Sequence, residues 1–284
     1  MTMRTEQEMM ELILSCARQD ERIRVVGMNG SRTNPKAPRD RFQDYDIVYL
    51  VTAMKPFIED QRWLEHFGNR IIMQTPDAMS LFPSAFKDRF GYLMLFEDAN
   101  RIDLTLMPLN ALNNYLHSDT LIKILLDKDG QTANLPEPKD QHYWVKKPSP
   151  AYFSDCCNEF WWVSAYIVKG LCRQELLYAA EHLSIIRKEL LRMFSWKIGT
   201  ETDFSVNMGP CYKYMNTYLP LKTWEKLLKT FRADTAEHIQ EALFVCHDLF
   251  KEAAAAVADR LNFQLPDYDE KVQRYTAEHL PKAP

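Results

Sequence analysis

The chain has 284 residues, 46% hydrophobic and 26% charged, with eight glycines and fifteen prolines, which excludes collagen-like and low-complexity chains and suits one large or two ordinary domains. A net charge of −4 without a long Lys/Arg run argues against a nucleic-acid partner held through its backbone. The six cysteines contain no CxxC pair, so neither a zinc pattern nor a disulfide framework is present.

At the N-terminus, Thr5 and Glu8 have capping-box spacing, and Met9, Met10, Ile13, Leu14 and Ala17 follow at helical intervals; a helix is expected over 5–19. Acidic residues inside this segment exclude a signal peptide. No stretch approaches the roughly 18 apolar residues of a membrane span. The expectation is a cytoplasmic protein with reduced thiols and no membrane partner. Residues 23–28 (IRVVGM) and 46–52 (DIVYLVT) read as strands, 56–67 as a helix, and 70–74 as a short strand. Residues 91–108 read as a hairpin turning at Asp98-Ala99-Asn100, and 109–127 as helical.

A Pro-rich, polar stretch over 130–150 reads as a linker. Beyond it, Ser149-Pro150 forms an N-cap and N1 pair opening a helix to about Gly170. Further helices are expected at 173–195, 221–231 and 234–260, and the last twenty residues read as a tail. The fold class is therefore α+β: an N-terminal domain (1–135) with a mixed sheet flanked by helices, then an all-α bundle (150–284).

Chemistry concentrates in the first domain. Asp44 and Asp46 flank one tyrosine at the mouth of a strand, so alternation points both carboxylates the same way. Like charges so placed repel, and burial without partners is unfavourable. Asp103, in the alternating segment RIDLTL, is a third carboxylate able to sit beside them. Three carboxylates on adjacent strands can hold two Mg²⁺ ions roughly 4 Å apart, an arrangement suited to in-line displacement at phosphorus. Upstream, Gly30 and Ser31 follow a strand at a turn where backbone N–H groups and a hydroxyl can meet phosphate oxygens, and Arg32 is placed to neutralise them. Lys128, between Asp127 and Asp129, is a weaker candidate for a phosphate contact. No Walker motif and no GxGxxG is present.

The segments NGS (29–31), DYDIVYL (44–50) and IDL (102–104) resemble the nucleotidyltransferase superfold related to DNA polymerase β. Over nearly the whole chain, GSRTN (30–34), FQDYDIVY (42–49), LLDKDG (125–130) and EFWWVSAYIVKGL (159–171) resemble the bacterial aminoglycoside 6-adenylyltransferases, the streptomycin-modifying enzymes. Gln43 departs from the serine that many superfamily members carry just before the paired aspartates. The resemblance implies transfer of AMP from ATP to an aminoglycoside hydroxyl, the 6-hydroxyl of streptomycin, with Asp44, Asp46 and Asp103 as metal ligands and Gly30 and Ser31 on the triphosphate. A base must take the hydroxyl proton, and Asp103 or Glu159 could serve. On the helix opening at Pro150, Glu159, Trp162, Tyr166 and Lys169 share a face, offering an acid, two aromatics for a cationic drug, and a phosphate-binding lysine. Phe160, Val163, Ile167 and Leu171 form a separate apolar stripe. Rival readings are another acceptor (a lincosamide, a protein side chain or a nucleic-acid end) and a non-catalytic nucleotide-binding module.

Overall fold

The computed structural model describes residues 3–84, 88–132 and 135–280. The chain separates into two compact units, residues 1–142 and 143–284.

The first unit begins with α1 (Glu6–Gln19), whose capping box forms in full between Thr5 and Glu8. Strands β1 (Ile23–Met28), β2 (Tyr45–Val51), β3 (Arg70–Gln74), β4 (Phe90–Phe96), β5 (Arg101–Pro108) and β6 (Lys123–Asp127) build one sheet in the order β3-β4-β5-β2-β1-β6. Only β2 and β5 run parallel; the other neighbours are antiparallel. Parallel strands need a crossover, which the intervening segment with β3 and β4 provides.

Both faces of the sheet are covered. Ile23, Tyr45, Ile47, Tyr49, Leu104 and Leu106 pack on one side with Met9 and Ile13 of α1 and with Phe57, Leu64 and Phe67. Val25, Val48 and Leu50 pack on the other with Leu112 and Tyr115 of α3 (Leu112–Ser118). Tyr49 crosses from sheet to helix and donates to the Ile13 carbonyl at 2.6 Å. The hairpin turns at the expected residues, with Ala99 at φ 66°. Beside it, Asp98 is buried. Burial alone would raise its pKa, yet hydrogen bonds from Arg4 and Asn100 hold the carboxyl well below the ordinary range.

Two expectations for this unit change. The helix over 56–67 is broken into α2 (Lys55–Glu59) and a 3-10 segment (Gln61–Phe67), because Asp60 turns extended and its carboxylate caps the Arg62 N–H. The helical reading of 109–127 ends early. Residues Lys123–Asp127 are β6, pairing with β1 along the sheet edge. Leu-Leu-rich apolar runs of five residues suit helix or strand equally by pattern, and here the unsatisfied edge of β1 decides.

The second unit contains α4 (Pro150–Cys172), α5 (Leu176–Glu201), α6 (Leu221–Lys229), α7 (Ala236–Leu261) and α8 (Asp269–His279). Ser149 caps α4 by accepting from the Tyr152 N–H, with Pro150 at the first helical position. The stripe Phe160, Val163, Ile167 and Leu171 is buried, and Phe160 stacks on Phe250 of α7 at 3.7 Å between ring centres. The expected tail contains α8 instead: Thr276 and Leu280 are buried, and the Cys172 thiol donates to the His279 carbonyl at 3.0 Å. Its last four residues lie outside the described ones. Among the described residues no helix is long and apolar enough to cross a membrane, and all six cysteines are free thiols.

His247 of α7 is buried among Phe160, Trp161 and Phe244, its Nε2 lying 3.1 Å from the Ser164 hydroxyl. Its Nδ1 has no hydrogen-bond partner among the described residues, and burial pushes its pKa down from 6.5 to about 3. In that window the unfolded chain takes up a proton that the folded chain refuses. The associated stability is therefore complete above pH 6.5 and declines as pH falls toward 3, by on the order of 1 kcal/mol per pH unit. Urea melts between pH 7 and 5 are expected to show a shallower pH dependence in His247→Asn than in the unsubstituted protein; equal slopes would assign the loss to other groups.

Candidate active site

The site is built where β1 leaves the sheet. Tyr115 of α3 lies so close to Gly27 that a Cβ there would approach its hydroxyl to 1.9 Å. This lets the Tyr115 hydroxyl donate to Asn29 Oδ1 at 2.7 Å, fixing the start of the turn. The Asn29 N–H then donates to the Asp46 carbonyl at 2.9 Å, tying the turn to β2. Gly30 follows at φ 73°, opening the 3-10 turn Gly30–Arg32. A Cβ at Gly30 would stand 2.1 Å from Asp46 Oδ2, so glycine is required here by conformation and by space.

Asp46 pairs in register with Asp103 across the parallel β2–β5 ladder, Tyr45 facing Ile102 and Ile47 facing Leu104. Alternation buries Ile102, Leu104 and Leu106 on one face of β5 and leaves Arg101, Asp103 and Thr105 on the other. The Asp46 carboxylate makes no hydrogen bond or ion pair among the described residues. Burial, reinforced by Asp103 and Asp44, pushes its pKa up to about 6.

Arg101 supplies counter-charge. Its Nε and Nη2 each donate to Asp103 at 2.7 Å, and its Nη1 lies 3.7 Å from Asp44 Oδ2. With Asp103 so engaged, no three His, Cys, Asp or Glu side chains among the described residues converge as they would around one metal ion. The donor set nonetheless suits a hard cation: three carboxylates, one of them without a salt bridge and resisting ionisation through burial first and the other two second. Arg101 was not singled out from the sequence, although its place two residues before Asp103 in an alternating strand puts both on one face.

The remaining expected residues are placed as follows. The Ser31 hydroxyl has no hydrogen-bond partner among the described residues, leaving it able to donate. Arg32 is only 8% exposed and turns to the backbone. It donates to the Asp44 carbonyl at 3.1 Å and the Gln43 carbonyl at 2.8 Å, stacks 3.7 Å above Tyr45, and lies 3.2 Å from Glu6. It thus grips the strand mouth that carries the aspartates. Gln43, where a serine was noted in relatives of the superfold, reaches back to the Ser31 carbonyl at 3.4 Å. Lys128 donates to the Asp20 carbonyl at 3.1 Å just past the end of α1, a helix-end contact.

In the helical unit, Glu159, Trp162, Tyr166 and Lys169 do share the outward side of α4. Trp162 is 62% exposed, which removes it from the core, and its indole N–H donates to the Tyr166 hydroxyl at 2.9 Å. Lys169 Nζ lies 5.9 Å from the rings of both Tyr166 and Tyr178. Glu159 is exposed and has no ion pair among the described residues.

A profile of the streptomycin adenylyltransferase family matches residues 3–279. An aminoglycoside 6-adenylyltransferase of Bacillus subtilis (strain 168) is 48% identical over 276 residues, 96% of this chain and 97% of that protein. One from Campylobacter jejuni is 47% identical over 274 residues, covering 96% and 95%. One from Staphylococcus aureus is 39% identical over 275 residues, covering 96% and 98%. Among solved structures, a crystal structure of an aminoglycoside 6-adenyltransferase from Bacillus subtilis is 43% identical, covers 97% of this chain and 98% of that one, and aligns with a TM-score of 0.48.

Gly30→Ala would set a methyl group against the Asp46 carboxylate in a left-handed backbone. The expected outcome is a loss of about 1–3 kcal/mol of stability, read as a lower melting temperature; an unchanged melt would contradict the packed turn.

Proposed function

The chain belongs to the streptomycin adenylyltransferase family, and from that premise we propose that it transfers AMP from ATP to a hydroxyl of an aminoglycoside, namely the 6-hydroxyl of streptomycin, releasing pyrophosphate. The observation that carries the reading is the unpartnered Asp46 set beside Asp103 on parallel strands, at the foot of a glycine turn, in a chain of this family.

In this reading residues 1–135 form the nucleotide half and 150–284 the acceptor half, joined over about 130–150. Asp44, Asp46 and Asp103 would hold Mg²⁺, which when bound neutralises phosphate charge and favours attack at phosphorus. The chain's own groups do the rest. Gly30, lacking a side chain, lets the turn approach the triphosphate, and Ser31 donates its hydroxyl to a phosphate oxygen. Arg32, through the Gln43 and Asp44 carbonyls, orients the strand mouth and does not itself reach for phosphate. Arg101 screens Asp103 and Asp44 until cationic charge replaces it.

On α4, Glu159 offers its side chain to a guanidinium or to the hydroxyl proton. Trp162 and Tyr166 offer ring faces to the drug's cationic groups. Lys169 is held beside Tyr166 and Tyr178, where it can meet an anionic portion of the nucleotide.

Pyrophosphate release from ATP and Mg²⁺ should depend on streptomycin and be absent with lincomycin or without acceptor. Asp46→Asn should lower the rate by about 3 kcal/mol, roughly a hundredfold. Release driven by lincomycin would move the acceptor assignment, and ATP binding without turnover on any acceptor would overturn the catalytic reading.

A further inference from the structure

The helical unit contains a cavity of about 690 Å³, within the range of small-ligand sites. It lies between the segment entering α4, the side of α5 and the loop that contains Tyr212. Lys146, Lys147 and Arg192 line it with Tyr152, Trp196 and Tyr212, and no Asp or Glu is among its lining residues.

Arg192 is already ordered. Its Nε lies 3.0 Å from Glu189 Oε2, its Nη1 donates to the Tyr152 hydroxyl, and its guanidinium sits 5.3 Å from the Tyr152 ring centre. Glu189 itself does not line the cavity, so it holds the arginine from outside. Lys146 and Lys147 differ. Both are exposed, and neither makes an ion pair among the described residues. Two adjacent lysines repel one another, and an acidic chain with 39 Asp and Glu against 35 Lys and Arg offers partners in excess. Here it places none. Ser149 and Ser195 add hydroxyls to the same wall, and the cavity borders the positive end of the 23-residue helix α4.

We propose that this cavity holds a polyphosphate anion, carried by a nucleoside triphosphate or free as pyrophosphate. Arg192 is already balanced by Glu189, so the unmatched charge is that of Lys146 and Lys147; a single carboxylate or monoanion leaves part of it unmatched, whereas a polyphosphate brings several negative charges in a compact chain. Lysine suits it as a point-charge donor, and the preordered arginine adds a planar fork. A cationic drug is disfavoured in the same space by repulsion. The source of the polyphosphate rests on the ATP-dependent reading above; the site itself is tested without turnover.

The experiment is isothermal titration of the full chain with pyrophosphate, ATP and orthophosphate, with no acceptor and with EDTA present so that carboxylate-bound metal does not contribute. Pyrophosphate is expected to bind, with orthophosphate at least tenfold weaker. Lys146→Gln/Lys147→Gln should weaken pyrophosphate at least tenfold without altering the melting temperature. Lys222→Gln/Lys226→Gln, which removes equal charge from α6, should leave affinity unchanged. ATP binding with the same dependence on Lys146 and Lys147 assigns the site to the nucleotide; binding of pyrophosphate alone assigns it to the product. No pyrophosphate binding, or equal affinity in the lysine double variant, would overturn the site. Failure of streptomycin-dependent turnover with binding intact would sink only the reaction, leaving the cavity's role standing.

Discussion

The in-register pairing of Asp46 with Asp103 is the constraint around which the first unit is arranged. Neighbouring strands lie about 4.8 Å apart, and two ionised carboxylates at that spacing, with Asp44 near, resist folding unless cationic charge is supplied. Everything around them fits that demand. β2 is packed from both faces, but β5 buries only Ile102, Leu104 and Leu106, so a one-residue slip of β5 would turn these toward the face of Asp103 and bury Arg101, Asp103 and Thr105 in their place. Gly30 lets the turn close over Asp46, and Arg101 balances Asp103 and Asp44. A repulsive arrangement held this firmly is what a site for a bound cation requires, because the binding energy then includes relief of the repulsion.

Arg32 and Arg101 divide the positive charge of this region by geometry. Arg32 is desolvated and stacked on Tyr45, and its donors are taken up by backbone carbonyls, where its fork is matched better than a lysine ammonium would be. Arg101 is more exposed and pairs with carboxylates that a metal would claim. One arginine fixes the scaffold; the other, on the reading proposed above, is the group that would yield to a metal.

Much of this was legible in the sequence because it depends on local rules. The capping box of α1, the alternation of β5, the Ser149-Pro150 start of α4 and the buried stripe of Phe160, Val163, Ile167 and Leu171 are each set by neighbours a few residues apart. The errors arose where a distant partner decides. Lys123–Asp127 is a strand because β1 offers an open edge, and Asp269–His279 is a helix seated through Thr276 and Leu280 on a surface that no local pattern announces. In the site, the aspartates could be proposed from spacing, but the inward turn of Arg32 could not. A guanidinium's choice between phosphate and backbone carbonyl depends on burial, which one-dimensional spacing does not encode. Arg101 could have been found, since alternation alone puts it on the face of Asp103.

The two units also fail to balance charge in opposite senses. In the first, Asp46 makes no salt bridge beside two other carboxylates, and the more distant Arg101 and Arg32 only partly offset them. In the second, Lys146 and Lys147 lack anionic partners beside Arg192. The first imbalance is partly buried and so poorly screened by water, while the second is exposed but lies on a concave wall where like fields add. Under the reading proposed above, Mg²⁺ would supply the complement of the aspartates, and the proposed polyphosphate that of the basic wall. On the same reading the exposed acid and aromatics of α4 would face a cationic group. On that reading, cationic and anionic groups would be sorted onto different walls, each set by its own unit's residues.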